Sequence, residues 1–258
     1  MRVIAVYNLK GGVGKSTTAA NLACLAARGG ERTLLLDLDP QGAAGYFLGH
    51  GAGKGGGRKL IENATGLSAL VESTKVDNLD IVPARFSFRR FDERLRGNKK
   101  PKETLHRILA GLSGQYDWVF LDTPAGLTLL SENVFAAVDC LLVPLIPTPL
   151  SLRAWERIVV FLSDRGYDLA RLIPFFSMAQ GRRRVHRDTM ELFRQREPGV
   201  CRAVIPSLSS IETAAATRTI VALRRPHSLA GEAFAALWAE VRGRLAGGPP
   251  VAAPPPAQ

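Results

Sequence analysis

The chain has 258 residues and 46% hydrophobic content, near the upper size of one domain and apolar enough to fill a complete core. No apolar run approaches the ~18 residues that cross a bilayer, and the N-terminus enters a strand pattern without a signal-peptide layout, so insertion and export are not expected. Three dispersed cysteines (Cys24, Cys140, Cys201) argue against a disulfide framework and against a zinc or iron–sulfur site, while 34 Lys and Arg against 23 Asp and Glu suggest a polyanionic partner.

Val3–Tyr7 reads as a buried strand, followed at once by a glycine-rich turn and an Ala/Leu-rich helix over Ser16–Arg28. A second strand, Thr33–Leu38, runs into Asp37 and Asp39. Short apolar runs then recur at Leu79–Val82, Trp118–Leu121, Cys140–Leu145, Leu172–Phe176 and Ala203–Ile205. Between most of them lies helical spacing: Glu103–Leu112, Ser131–Val138, Leu152–Leu162 and Val185–Arg196. A last helix is expected over Leu229–Leu245, with Phe234, Leu237 and Trp238 facing inward.

This alternation predicts an α/β fold: one domain over residues 1–246, doubly wound, its mostly parallel sheet covered by helices on both faces. Gly49–Gly57 is too glycine-rich for a regular element and is expected to be a mobile loop. Residues 247–258, rich in Pro, Gly and Ala, are expected to form a disordered tail.

The run VIAVYNLKGGVGKSTTAANLA places a strand before the glycines and a helix after them, the context a phosphate-binding loop needs. Backbone N–H groups of Gly12, Val13, Gly14 and Lys15 then point at phosphate oxygens at the positive end of the helix dipole. Lys15 supplies charge to the β and γ phosphates, Ser16 is placed to ligate Mg²⁺, and Thr17 is a further phosphate contact. The strict Walker A pattern fails, because Leu9 stands six residues before Lys15 where glycine is required. A second lysine, Lys10, appears just inside the loop instead.

KGGVGKST with that extra lysine, DLDPQG after the second strand and WVFLDTPAG at Trp118–Gly126 together resemble the ParA/MinD family of deviant Walker A ATPases. The resemblance covers about Met1 to Leu245 and is weaker in the last third. It implies ATP and Mg²⁺ bound by Lys10, Gly11, Gly12, Val13, Gly14, Lys15, Ser16 and Thr17. It further implies that Asp122 holds Mg²⁺ through water with Asp37 behind it, that Asp39 orients the attacking water, and that Lys10 crosses a two-fold interface to the partner's ATP. The implied enzyme is a slow, partner-stimulated ATP hydrolase, dimeric in the ATP state and dissociated by hydrolysis. Strand-end aspartates also cap helices, and that bland role stays open above all for Asp37.

The C-terminal segments look closer to the ParA branch, whose members bind DNA without sequence preference, answer to a ParB-like protein or cargo adaptor and act in the cytoplasm on the nucleoid. Arg182, Arg183, Arg184, Arg187, Arg218, Arg224 and Arg225 are the candidate phosphate contacts. No helix-turn-helix precedes the first strand, so operator binding is not expected, and the last helix carries Glu232 and Glu240, unlike a basic membrane anchor.

Three positions depart from the family pattern: Ser207 after Ile-Pro, Ser177-Met178-Ala179 where an asparagine often meets the adenine, and Pro124-Ala125 after the Walker B strand. A regulator of a membrane machine, in cellulose synthesis or flagellar placement, is the alternative within the superfamily. A metabolic P-loop enzyme such as a dethiobiotin synthetase is the third reading.

Overall fold

The computed structural model describes residues 1–51, 53, 64–85, 90–97 and 101–246. Of the expected mobile loop, Gly49, His50, Gly51 and Gly53 are described; the rest of it lies outside the described residues, as does the expected tail 247–258.

Among the described residues, eight strands form one sheet in the order β3-β4-β2-β5-β1-β6-β7-β8. They are β1 (Arg2–Val6), β2 (Thr33–Asp37), β3 (Glu72–Ser73), β4 (Leu79–Val82), β5 (Trp118–Asp122), β6 (Cys140–Leu145), β7 (Leu172–Ala179) and β8 (Val204–Pro206). Every pairing is parallel except that of β3 with β4. The expected parallel architecture is present. The two-residue edge strand β3, exposed and without apolar alternation, carries no signal that a sequence reading detects.

The helices are α1 (Lys15–Arg28), α2 (Ala43–Phe47), α3 (Ala64–Ser68), α4 (Phe91–Arg96), α5 (Thr104–Ala110), α6 (Leu129–Ala137), α7 (Pro149–Asp164), α8 (Arg184–Arg196), α9 (Ser209–Ala216), α10 (Val221–Arg224) and α11 (Leu229–Leu245). α7 begins three residues before its apolar spacing does, because Thr148 stands at the N-cap and Pro149, with its preset φ and absent N–H, occupies the first turn. Among the unanticipated helices, α2 to α4, α9 and α10 are at most eight residues long, too short for a helical period to show.

Alternation along the strands divides the core in two. In and just after β1, Val3, Ala5 and Tyr7 enter one cluster and Ile4 and Val6 the other. The first cluster takes Leu105, Ile108 and Leu109 of α5, Trp155 and Ile158 of α7 and Phe193 of α8. The second is closed by α1 and α11, where Trp238 meets Trp118 edge-on at 4.9 Å and Phe120 at 5.6 Å. Phe234, Leu237 and Trp238 point inward as expected, and the three cysteines are buried and free. No described helix is long and apolar enough to cross a membrane.

Two glycines of α11 differ in what surrounds them. A Cβ on Gly231 would collide with the backbone carbonyls of Arg225 and Pro226, whereas one on Gly243 meets nothing within 4 Å. Gly231→Ala is therefore expected to destabilise the protein by ~1–3 kcal/mol and Gly243→Ala to stabilise it by up to ~1 kcal/mol. Urea midpoints of the two variants test this; equal shifts would show that the close approach is not what constrains position 231.

Candidate active site

The loop between β1 and α1 is held by its own backbone. Asn8, fully buried, donates from Nδ2 to the Pro144 carbonyl (2.7 Å) and accepts the Lys10 N–H at Oδ1 (3.0 Å). Lys15, 7% exposed, donates from Nζ to the Lys10 carbonyl (3.1 Å), closing the loop across its mouth. Gly14 has φ 90°, and a Cβ there would lie 2.8 Å from the Ser177 hydroxyl, so both backbone conformation and space demand glycine. No side chain caps α1. The amides of its first turn are left for a ligand, as phosphate binding at a helix N-terminus requires.

Opposite the loop, β2 and β5 run parallel in a register that pairs Asp37 with Asp122, and both are fully buried. Asp37 accepts the Asp39 N–H at Oδ1 (3.2 Å) and the Gly45 N–H at Oδ2 (3.0 Å). The second bond reaches the first turn of α2, so the capping role left open for Asp37 is one it performs. Burial lifts its carboxyl to about 7, against the pull of the Gly45 N–H and with the push of Asp39.

Neither oxygen of Asp122 has a hydrogen-bond partner among the described residues. Burial, then the charge of Asp37, hold it well above the usual carboxylate range, with the Ser16 hydroxyl and Lys15 drawing it back. Burial lowers Lys15, while Asp122 and Asp39 oppose that shift. Asp39 is half-buried, its Oδ1 accepting the Gln41 N–H at 2.9 Å.

An orphaned buried carboxylate beside a serine hydroxyl is an all-oxygen donor set, which suits a hard divalent cation such as Mg²⁺. Among the described residues no group of three or more His, Cys, Asp or Glu is placed to hold a metal unaided. A cation here needs ligands from a phosphate and from water, the ordinary situation of Mg²⁺ in a nucleotide site.

A largely apolar cavity of about 250 Å³ adjoins the loop. Gly12, Gly14, Thr17 and Thr18 line one side and Ser177, Met178 and residues 205–208 the other. Of the three residues expected near an adenine, Ser177 and Met178 reach the cavity. The Ala179 carbonyl instead accepts the Ser207 N–H (2.8 Å), beside the register shift between β7 and β8.

All seven candidate arginines are exposed, but they fall into two groups. Arg182, Arg183, Arg184 and Arg187 lie at the start of α8, where Arg187 donates to the Gly181 and Arg182 carbonyls and Arg184 pairs with Asp188 at 3.4 Å. Arg218 lies over the Tyr46 ring at 4.5 Å. Arg224 and Arg225 line a separate cavity of about 350 Å³ together with Ser209, Ser210, Thr213 and Thr219. Sequence reasoning overlooked Asn8 and Asn21. Their signal was an amide side chain in an otherwise apolar stretch, beside a motif that drew attention to its charges.

A family model described as AAA domain matches residues 1–164. The virulence plasmid ParA family protein pGP5-D of Chlamydia psittaci is 31% identical over 202 residues, 74% of this chain and 75% of that protein. This chain belongs to the ParA/MinD family of P-loop ATPases. The chromosome partitioning protein ParA of Myxococcus xanthus is 38% identical over 146 residues, 56% of this chain, so the match spans about half (52%) of that ParA protein's length. A structure of cobyrinic acid a,c-diamide synthase from Mycobacterium smegmatis, with bound ADP and magnesium, superposes with TM-score 0.77 at 25% identity, covering 99% of this chain and 100% of that one. Lys10 lies in the loop that follows β1 and Lys15 opens α1, while Asp37 and Asp122 end the paired strands β2 and β5.

The buried carboxylates make a pH-dependent liability. Asp37 and Asp122 keep protons in the folded chain that the unfolded chain releases near pH 4, so stability is expected to fall as pH rises from about 4 through about 7. Asp122→Asn removes part of that fall and should raise the melting temperature of the nucleotide-free protein at pH 8 by ~2–6 °C. A melting temperature that drops, or a pH profile unchanged from wild type, would refute the assignment of the strain to this carboxylate.

Proposed function

We propose that this chain is an ATP hydrolase of the partition or positioning kind, closing as a homodimer around two molecules of ATP and meeting DNA through its phosphates alone. The observation that carries the reading is Lys10. Its backbone is fastened on both sides, by Asn8 and by Lys15, yet its ammonium has no partner among the described residues and its side chain is part-exposed at the loop head. A lysine fixed at its base and unpaired at its tip fits a charge reserved for a neighbouring subunit's nucleotide.

In this reading residues 1–246 form the ATPase domain. Gly11 to Thr17 wrap the phosphates, with Lys15 supplying the positive charge they meet. Ser16 and Asp122 hold Mg²⁺, with Asp37 behind them. The cation neutralises phosphate charge, and Asp39 orients the attacking water. Asp37 at about 7 and an uncompensated Asp122 agree with a site incomplete until the cation arrives. The exposed arginines supply sequence-independent attraction to DNA, a ParB-like protein or cargo adaptor stimulates turnover, and the protein works in the cytoplasm on the nucleoid.

One observation favours a second reading, amide synthesis driven by ATP: the mycobacterial diamide synthase structure covers nearly the whole chain. ATP turnover that depends on a carboxylic-acid acceptor would select it. The sequence of the loop, with Lys10 in place, and the ParA relatives favour the first.

Light scattering on the eluting protein with ATP and Mg²⁺ should give a dimer for wild type and a monomer for Lys10→Ala, with nucleotide affinity kept within about threefold. A wild-type monomer, or a variant that still dimerises, removes the proposed role of Lys10. DNA retardation should require ATP rather than ADP, and each arginine contact replaced by alanine should reduce the salt slope of binding by about one. A slope that survives replacement of all seven arginines would place the DNA surface elsewhere.

A further inference from the structure

The segment from Thr217 to Arg225, which carries Arg218, Arg224 and Arg225, is fastened to the nucleotide half of the molecule at two independent points. The first is Asn21, 2% exposed, in the second turn of α1. Its Nδ2 donates to the Thr17 carbonyl (2.8 Å) and its Oδ1 accepts the Ala222 N–H of α10 (3.0 Å). One amide group therefore joins the turn that follows the phosphate loop to the helix that bears Arg224. Were packing alone required there, an apolar side chain would serve; a buried amide is tolerated only with both its polar ends satisfied, as here.

The second point is Tyr46. Its neighbour Gly45 gives its N–H to Asp37, and the Tyr46 ring, 41% exposed, lies beneath the Arg218 guanidinium at 4.5 Å. Arg218 adopts φ 50°, the left-handed turn that ends α9, where the Thr219 N–H bonds the Ala214 carbonyl (2.9 Å), so the contact is made by a residue whose backbone is already fixed at a helix end. The cavity beside the loop adds continuity, since Thr17 and Thr18 line one wall and Ser207, Leu208, Ile211 and Glu212, at and just before the start of α9, form much of the other.

We infer that Asn21 and Tyr46 are positioning residues that couple the phosphate loop and the Asp37–Asp39 turn to the placement of the arginines in 217–225. For the identity of the partner this coupling rests on the DNA reading above; the coupling itself is a property of the chain and is measured without DNA.

The test is hydrogen exchange read by mass spectrometry on the full chain, with and without Mg²⁺ and the non-hydrolysed analogue AMPPNP. In wild type, exchange across 217–225 is expected to slow by about tenfold on adding the analogue. In Asn21→Ala and in Tyr46→Leu that slowing should fall below about threefold, while amides 12–17 remain protected by the analogue as in wild type. Protection of the loop without protection of the segment is a result that a merely structural role does not produce.

Asn21→Asp at pH 8 keeps the acceptor for Ala222 and loses the donor to Thr17; the Ala222 amide should then stay protected whether or not the analogue is present. Tyr46 lies at the surface, so its variant answers the question even where Asn21→Ala fails to fold. Undiminished slowing in both variants, or no analogue-dependent change at 217–225 in wild type, overturns the inference. A second arm measures anisotropy of a labelled random duplex with AMPPNP or ADP, where the variants should lose the preference for AMPPNP. If wild type binds no duplex but the exchange pattern holds, the DNA reading falls and the coupling stands.

Discussion

Two carboxylates side by side in a dry sheet edge, with one lysine to offset them, set the terms for everything else in this molecule. The parallel pairing of β2 with β5 forces the arrangement, because it brings Asp37 and Asp122 into register at adjacent strand ends. Asp37 is partly relieved by the Asp39 and Gly45 amides; Asp122 has only the nearby Ser16 hydroxyl and the charge of Lys15 to offset its burial. Leaving a buried charge uncompensated costs several kcal/mol, so the folded chain either keeps protons on these carboxyls or carries a deficit that an added cation removes. Lys15 cannot remove it alone, since one positive charge faces three carboxylates and burial lowers its own affinity for a proton. Stability has been exchanged for a place where a divalent cation and its phosphate ligands fit.

The loop shows the complementary economy. Its specificity lies in backbone groups, and side chains enter mainly to hold that backbone still. Asn8 anchors one shoulder to β6, Lys15 ties the other, and Gly14 leaves room for Ser177, which reaches in from β7. Strands β1, β6 and β7 are neighbours in the sheet, so a phosphate loop made of local sequence is braced by residues far along the chain.

That distinction explains what could be read before any coordinates. The strand–loop–helix context, the buried strands ending in Asp37 and Asp122, and the helix with Phe234, Leu237 and Trp238 inward were all legible, because periodicity and glycine spacing are local signals. Asn8 and Asn21 were not, since their partners, Pro144 and Ala222, lie 136 and 201 residues away. The edge strand β3 and the short helices were missed for want of length. The capping bond from Asp37 to Gly45 was visible only as one of two possibilities, because a carboxylate at a strand end serves a helix or a metal equally well on spacing alone. Here Asp37 accepts one N–H from the turn after β2 and one from α2, while its charge lies against Asp122.

The two arginine groups differ in what holds them, and this bears on how a basic surface can respond to a nucleotide. Around α8, Arg187 is tied to the turn it belongs to and Arg184 to the aspartate one helical turn on, so their geometry depends on local bonds that a ligand at the loop does not touch. Around α10 the ties run to α1 and α2, the two helices that flank the carboxylates. A uniform basic face attracts a polyanion in every state of the protein, since long-range attraction is insensitive to small displacements. Discrimination between states requires that more of the charges be brought together, as in a dimer, or that some of them move relative to the rest. Of the seven candidate arginines, those in 217–225 are the ones tied to α1 and α2, so within one subunit theirs is the placement that a ligand at the loop reaches through bonded contacts.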